Sequence, residues 1–406
     1  MAYLHCSLTR YNPQSLNDNN MDRYDFDRII DRRGTKAIKW DLFGEEVLPL
    51  WVADMDFASP MEIISGIQAR TDHPIFGYQS QDAELLDVIS DWIFTQHSWK
   101  IAPEDILLMP GVVTGFNWTV RSFSEINSSV IFQTPVYFPF FKISENNNIQ
   151  QITVPLKNTV NGYEIDFNDF EVRIRDDTRV FILCNPHNPV GRVFRKRELE
   201  RMGEICLAHN IIICSDEIHC DLVYPGHKHL PIASLSEDFA MNTITLMAPS
   251  KTFNIPGLHF SFAVVQNETL RNKMTSSRNG IIDEPNILAQ SAAKAAYKYG
   301  REWLEALIKY LDQNRQLVVE FIKTNIPEIR VHSPEGTYLA WLDCSALNHE
   351  EGPYKFFLEN AKVALNDGEM FGGNSKEFVR LNFGCPKSIL MEALDKMAIS
   401  IQQAER

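Results

Sequence analysis

Three polar residues follow short apolar runs in the middle of the chain. Asn188 comes shortly after the run VFILC, Asp216 follows the run at 211–214, and Lys251 stands just past the run TITLM. Because open α/β sheets bind ligands at the carboxyl ends of their strands, one crevice is expected to hold this amide, this carboxylate and this amine. The separations of 28 and 35 residues each leave room for about one helix and one strand.

Such a set of groups suits the cofactor pyridoxal phosphate. This cofactor requires a lysine for a Schiff base, a carboxylate that keeps its ring nitrogen protonated, donors around its phenolic oxygen and a cradle for its phosphate. Each group alone is a weak signal, since a lone lysine after a strand is usually a surface charge and an Asn-Pro pair is usually a turn. Their order and spacing together make the prediction specific.

The elements that must position these residues alternate between strand-like and helix-like patterns. Continuous apolar runs at 180–184, 211–214 and 243–247 predict strands that are buried on both faces. Apolar residues at three- and four-residue spacing from Leu199 onward predict a helix between the first two strands. This alternation predicts an α/β domain with a mostly parallel sheet.

The later part of the chain has a different character. From about 287 to 324 the pattern is almost entirely helical, and three further short strands precede a final helix. This pattern predicts a second, smaller α+β domain. The expected organisation is a large domain over 61–290, a small domain formed by 21–60 together with 291–406, and an N-terminal arm over 1–20.

Composition excludes several classes of protein. The 406 residues carry 53 acidic against 39 basic side chains, a net charge of −14, and 44% of the residues are apolar. A surface of this charge repels the phosphates of nucleic acids and anionic membranes, so neither is an expected partner. The apolar fraction is sufficient for a large core, which excludes a disordered chain.

Cysteine usage and the apolar runs predict a cytoplasmic protein. The seven cysteines are odd in number and form no CxxC pair, which favours buried free thiols in a reducing compartment. No run approaches the ~18 apolar residues of a membrane span. The polar, asparagine-rich start is predicted to be an arm rather than a secretory signal.

Three motifs in order carry a resemblance to a known family: NPHNPVGR, SDEIH and APSKTFNIPGL. They resemble the fold-type I pyridoxal-phosphate enzymes of the class I/II aminotransferase family, which implies the aspartate aminotransferase-like PLP-dependent transferase fold. The stretch YDFDRIIDRRGTKAIKWD followed by LPLWVADMDFASP resembles the cystathionine β-lyase branch, also called cysteine C–S lyases. The resemblance extends over nearly the whole chain.

The resemblance implies a role for each residue at the strand ends. Lys251 would hold the cofactor covalently and act as the proton-shuttling base, and Asp216 would pair with the pyridinium nitrogen. Asn188 would hydrogen-bond the phenolic oxygen. His219 stands where many relatives have a tyrosine that donates to that oxygen, and its alternative interpretation is a structural histidine beside a strand.

The phosphate cradle is predicted at Gly111, Val112 and Val113, in the segment MPGVVTGF. Backbone N–H groups at a helix N-terminus bind anions, and a glycine allows the backbone to approach them closely. The resemblance adds Ser250, next to the lysine, as a phosphate contact. It also implies that Tyr78 reaches the phosphate of the neighbouring subunit, so that a homodimer with a shared active site is expected.

Two further residues match the family, and two others depart from it. Tyr137, in TPVYFPF, matches the aromatic that stacks on the pyridine ring, although an ordinary core aromatic is the alternative. Arg380, in FVRLNFG, matches the arginine that clamps the substrate α-carboxylate, which suits a guanidinium. Ala248 replaces a frequent serine and His259 a frequent arginine or lysine, and a neutral histidine would weaken the phosphate electrostatics.

Composition and spacing do not choose between two reactions of an amino-acid substrate. β-Elimination would release a thiol, pyruvate and ammonia, whereas transamination would produce a new amino acid. The resemblance to the lyase branch implies β-elimination from cystathionine or related S-substituted cysteines. An aminotransferase is the alternative, and a regulatory protein that retains the fold is a third interpretation.

The preferred substrate remains open at this point. Trp51, Asp54, Tyr338 and Asp367 are candidate pocket residues whose side chains the sequence does not place. No metal site is expected, because the histidines and acids near Cys220 lack a recognised zinc spacing.

Overall fold

The structure, a computed structural model, describes residues 24–404. The predicted arm over 1–20 and Cys6 lie outside the described residues. None of the described helices is long and apolar enough to cross a membrane. Apart from short 3-10 turns and a π-helical turn, the helices are α1 (Ile38–Asp41), α2 (Met61–Thr71), α3 (Ala83–His97), α4 (Val112–Phe123), α5 (Lys142–Asn147), α6 (Phe167–Arg173), α7 (Lys196–Ala208), α8 (Glu237–Met241), α9 (Pro249–Thr252), α10 (Glu268–Ser277), α11 (Ile287–Tyr299), α12 (Arg301–Asn325), α13 (Gly352–Phe356) and α14 (Lys387–Ala404).

The strands are mostly short and alternate with these helices through the middle of the chain. They are β1 (Leu48–Pro49), β2 (Ile106–Met109), β3 (Ser129–Thr134), β4 (Gln150–Pro155), β5 (Lys157–Thr159), β6 (Gly162–Glu164), β7 (Thr178–Cys184), β8 (Ile212–Asp216), β9 (Thr243–Met247), β10 (Ser261–Val264), β11 (Arg330–Val331), β12 (Leu339–Asp343), β13 (Val363–Ala364), β14 (Asn366–Asp367) and β15 (Phe378–Asn382).

The larger sheet has seven strands in the order β2-β10-β9-β8-β7-β3-β4. β10 runs antiparallel to both of its neighbours, and the other pairings are parallel. The prediction of a mostly parallel sheet is therefore confirmed. The three strands predicted from apolar runs are β7, β8 and β9. They are neighbours in the sheet as well as in the chain, so their carboxyl ends lie side by side at one edge.

Helices cover both faces of this sheet, which explains the continuous apolar runs. Val180 and Ile182 of β7 pack in the apolar cluster that contains α4. Phe181 and Leu183, which alternate with them, pack in the cluster on the other face that contains α7. Because successive residues of a strand point to opposite faces, a strand with two covered faces needs an apolar residue at every position.

A second sheet follows in the later part of the chain. Its four strands are antiparallel in the order β11-β12-β15-β14, and α12 packs beside β11 and against α14. This agrees with the predicted smaller α+β unit, while the boundaries proposed at 60/61 and 290/291 stay a prediction. β15 carries Arg380 directly opposite Trp341 of β12.

The helical stretch predicted over 287–324 is interrupted at Gly300, between α11 and α12. A side-chain Cβ at this position would lie well under 3.0 Å from the ring of Phe253 and from the carbonyl oxygen of Ala296. Phe253 is itself fully buried, two residues after Lys251. The glycine therefore permits the start of α12 to pack directly against the segment that carries the lysine.

We expect Gly300→Ala to destabilise the protein by about 1–3 kcal/mol, because the added methyl overpacks a closed contact. The change is measured as a lower denaturant midpoint of unfolding. Gly257→Ala serves as the control, since a Cβ there meets nothing within 4 Å. An equal midpoint for Gly300→Ala and wild type would contradict the packing role of Gly300.

Candidate active site

A cavity of about 750 Å³ opens at the carboxyl ends of β7, β8 and β9. Side chains or backbone from both sheets line it, together with the segment that follows α1. With the exception of Tyr78, every site residue predicted from the sequence lines this cavity: Gly111, Val112, Val113, Tyr137, Asn188, Asp216, His219, Ser250, Lys251 and Arg380.

Tyr78 lies elsewhere, in an extended segment without helix or strand, and its side chain is fully exposed. Its predicted role concerns the site of a neighbouring subunit, so its absence from this cavity leaves that role a prediction.

Lys251 lies in the short helix α9, four residues after the end of β9. Its Nζ donates a hydrogen bond to the backbone carbonyl of Ala53. The hydroxyl of the next residue, Thr252, donates a hydrogen bond to Asp221 over 2.8 Å. This bond attaches α9 to the turn that follows β8. Desolvation lowers the pKa of Lys251 to about 8, against an opposing effect of the Asp54 carboxylate. A large fraction of the amine is therefore neutral near pH 8.

Asp216 is the last residue of β8 and is buried. Its Oδ1 accepts a hydrogen bond from the N–H of Ile218 over 3.2 Å. Burial raises the pKa of Asp216 to about 7, since this one hydrogen bond and the amine of Lys251 offset only part of the lost hydration. A cationic partner inside the cavity would stabilise the ionised carboxylate.

Arg380 lines the cavity and connects the two sheets. It is buried, and one Nη donates to the side-chain oxygen of Asn188 over 2.9 Å. The other Nη donates to the carbonyl of Trp51 over 3.1 Å and to the side chain of Asn366. Burial lowers the pKa of Arg380 to about 10, so the guanidinium stays charged at neutral pH. Its Nε has no hydrogen-bond partner among the described residues.

His219 is buried beside the ring of Tyr338, with 5.9 Å between the ring centroids. Burial and the charges of Lys251 and Arg380 hold its pKa well below its usual range, so the ring is neutral. Within residues 24–404 its Nδ1 has no hydrogen-bond partner. A buried polar atom without a partner is costly, which points to a bound group that completes it.

The predicted phosphate cradle lies at the N-terminus of α4, which begins at Val112. The first hydrogen bond of this helix runs from the N–H of Gly115 to the carbonyl of Gly111, so the preceding N–H groups have no acceptor within the helix. A Cβ at Gly111 would meet nothing within 4 Å, which leaves open space beside these donors. Thr114 also lines the cavity and was not predicted from the sequence.

The two departures from the family pattern have different positions. Ala248 is buried and is not among the residues that line the cavity, whereas His259 lines it and is exposed. Lys251 and Arg380 are the only lysine or arginine side chains among the described lining residues. The cavity wall therefore offers a histidine at the position where the family resemblance implied an arginine or lysine.

The region near Cys220, for which no metal site was expected, brings three polar side chains together. His97, Cys220 and Asp221 bring their ligand atoms within 4.8 Å of one another. Asp221 already accepts hydrogen bonds from Thr252 and from the indole of Trp92. Through these two hydrogen bonds the Asp221 carboxylate connects α9, which carries Lys251, to α3.

Comparison with known proteins agrees with this arrangement. The family described as aminotransferase class I and II matches residues 45–397, so the chain belongs to that family. Within the family it is 40% identical to the cystathionine beta-lyase PatB of Bacillus subtilis, over 93% of this chain and 99% of that protein. This similarity confirms the predicted lyase branch and fold.

Two solved structures have the same fold over almost their full length. A PLP-bound putative aminotransferase from Clostridium difficile superposes with a TM-score of 0.90 at 39% identity, covering 93% of this chain and 100% of that one. A PLP-bound C-S lyase from Staphylococcus hominis gives 0.88 at 33% identity, with 93% and 99% coverage. The open helix N-terminus and the unpartnered Nδ1 of His219 fit the cofactor that these two structures contain.

We expect the depressed pKa of Lys251 to be visible in ligand-free protein. Because only the neutral amine reacts, acylation of Lys251 should rise through pH 8 and level off by about pH 9. Peptide mass spectrometry after brief labelling measures the rate at each pH. Lys157 is the internal control, since its hydrogen bond to Asp166 raises its pKa and its labelling should still increase above pH 10. Parallel profiles for the two lysines would contradict the desolvation of Lys251.

Proposed function

We propose that this chain is a pyridoxal-phosphate-dependent C–S β-lyase. It would convert cystathionine or a related S-substituted L-cysteine, with water, to a thiol, pyruvate and ammonia. The observation that carries the proposal is the meeting of Lys251, Asp216 and Arg380 in one cavity, in a chain 40% identical to a cystathionine beta-lyase.

The proposed cofactor contacts follow the positions of the lining residues. Lys251 would hold the cofactor, the N-terminus of α4 and Ser250 would bind its phosphate, and Tyr137 would stack on its ring. Asp216 would pair with the protonated ring nitrogen, whose positive charge in turn would keep that buried carboxylate ionised. His219 and Asn188 would bind the phenolic oxygen.

The bound cofactor supplies an electron sink for the pair left on the substrate Cα when its proton is removed. In the proposed reaction Arg380 binds the α-carboxylate, for which its unpartnered Nε offers a donor. The amine of Lys251 takes the Cα proton, a task that its pKa of about 8 suits at neutral to mildly alkaline pH. The C–S bond then breaks with its electron pair on sulfur, and the proton on Lys251 can return to the thiolate.

The test is a product assay with L-cystathionine and, separately, with a 2-oxo acid and an amino donor. We expect equimolar thiol and pyruvate from cystathionine, and a loss of at least about a hundredfold in Lys251→Ala. Lys142→Ala, which changes an exposed lysine outside the cavity, is the matched control.

Other outcomes of this assay would reject the proposal. A new amino acid without thiol release would identify an aminotransferase. A yellow, cofactor-loaded protein that converts neither cystathionine nor other S-substituted cysteines would favour a regulatory protein that retains the fold.

We also propose that the active protein is a homodimer with shared sites. Tyr78 is fully exposed, and its neighbours Ile75 and Phe76 are 65% and 58% exposed. Large apolar side chains clustered on one exposed segment are typical of an interface. A second copy of the chain would cover them and would receive the Tyr78 hydroxyl at its phosphate site.

A complementation experiment tests the shared site. Lys251→Ala and Tyr78→Ala chains should each be impaired alone at limiting cofactor, because each lacks one contribution to every site. Mixed refolding would create dimers with one native site, restoring about a quarter of wild-type activity. Mixing Lys251→Ala with Lys251→Ala/Tyr78→Ala should restore nothing. No recovery in the first mixture, despite heterodimer formation, would contradict the shared site.

We also propose that the protein is cytoplasmic. The six cysteines within residues 24–404 are all buried free thiols, and a reducing compartment keeps such thiols unpaired.

A further inference from the structure

The mouth of the active-site cavity carries a group of apolar side chains that the proposed chemistry does not use. We call this group the apolar rim. Its members all line the cavity and carry no formal charge: Leu42, Phe43, Trp51, Phe138, Tyr354 and Met370.

The rim presents its apolar surface to the opening of the cavity. Phe43 packs edge-on against Trp51, with 5.7 Å between the ring centroids. The indole N–H of Trp51 donates to the carbonyl of Lys39 over 3.1 Å, so its polar atom is already satisfied inside the protein. Leu42 and Met370 remain 57% and 45% exposed. Exposed apolar side chains gathered at a cavity mouth mark a surface that a ligand covers.

The rim borders the residue proposed to bind the substrate α-carboxylate. Arg380 bonds to the carbonyl of Trp51 over 3.1 Å, and its guanidinium lies 4.9 Å from the ring of Phe371, next to Met370 in the chain. A cysteine thioether held at Arg380 has its sulfur substituent only a few bonds away. That substituent is the part of the substrate that can reach the rim.

The charged groups of the cavity do not match a substituent that ends in an amino acid. Asp367 is available to an ammonium, although one of its oxygens already accepts the N–H of Glu369 over 3.0 Å. For a distal carboxylate, the described lining residues offer no lysine or arginine besides Lys251 and Arg380, which the proposed reaction occupies. A distal carboxylate would therefore lose hydration on the rim without a lysine or arginine to pair with it.

From these contacts we infer that the preferred substrates are S-alkyl- and S-aryl-L-cysteines with apolar substituents, and that cystathionine is a poorer substrate. This inference rests on the proposed lyase function and specifies which thioether it cleaves. The rim binds the departing group and thereby determines specificity, while Lys251 and Arg380 act on the part that all these substrates share.

A homologous series of substrates tests the inference. From S-methyl- to S-butyl-L-cysteine the thiols have nearly the same acidity, so changes in kcat/KM report binding of the chain. We expect kcat/KM to rise about threefold to fourfold per methylene, and S-butylcysteine to exceed cystathionine. A flat series, or cystathionine above S-butylcysteine, would overturn the inference while thiol release still supported the lyase. No thiol release from any of these compounds would reject the lyase function itself.

A variant that adds a cation to the rim tests which residues are responsible. In Leu42→Lys we expect kcat/KM for S-butylcysteine to fall about tenfold and that for cystathionine to rise, because the ammonium pairs with the distal carboxylate. Met370→Lys, at a second exposed rim position, should shift selectivity in the same direction. Val172→Lys makes the same charge change at an exposed site outside the cavity and should leave the ratio unchanged. Unchanged selectivity in both rim variants, each with bound cofactor, would overturn the assignment of the rim.

Discussion

The position of the segment at 50–57 is the constraint on which the rest of the site depends. Lys39 is almost completely buried, and its amine lies 2.7 Å from Asp56. Arg32 bridges Asp54 and Asp56 with two contacts of 2.6 Å. Buried charges persist only when they are paired, and removal of one partner leaves the other uncompensated. Two cations and two carboxylates therefore hold the segment in one place.

This fixed segment determines how the two sheets face each other. Its backbone carbonyls accept hydrogen bonds from Lys251, in the helix that follows β9 of the larger sheet, and from Arg380 of the smaller sheet. The side chain of Asn382 donates to two more of these carbonyls. The lysine and the arginine are consequently set apart by a stretch of main chain that belongs to neither sheet. The same stretch contributes Trp51 to the apolar rim, which couples the proposed specificity to the position of the reacting groups.

Burial shifts the pKa values of the ionisable groups in the site and destabilises their charged forms in the ligand-free protein. It lowers the pKa of Lys251 and raises that of Asp216, so the charged form of each group is destabilised. A cofactor with a cationic ring nitrogen and an anionic phosphate supplies the charges that these groups and the helix N-terminus lack. The shifted pKa values and the proposed function thus have one physical origin, which is the low hydration of the ionisable groups in the cavity.

The sequence by itself determined the strands β7, β8 and β9 and the mostly parallel sheet, because a doubly covered strand needs a continuous apolar run. The ends of these strands indicated Asn188, Asp216 and Lys251, whereas residues such as His219 and Arg380 were predicted from the resemblance to the family. The sequence did not determine the break at Gly300, the carbonyl of Ala53 or the contacts of Asn366. A backbone carbonyl has no signature in the residue type, and Ala53 meets a lysine 198 positions later. The tertiary structure decided those features, since they depend on which distant surfaces the packing of two sheets brings together.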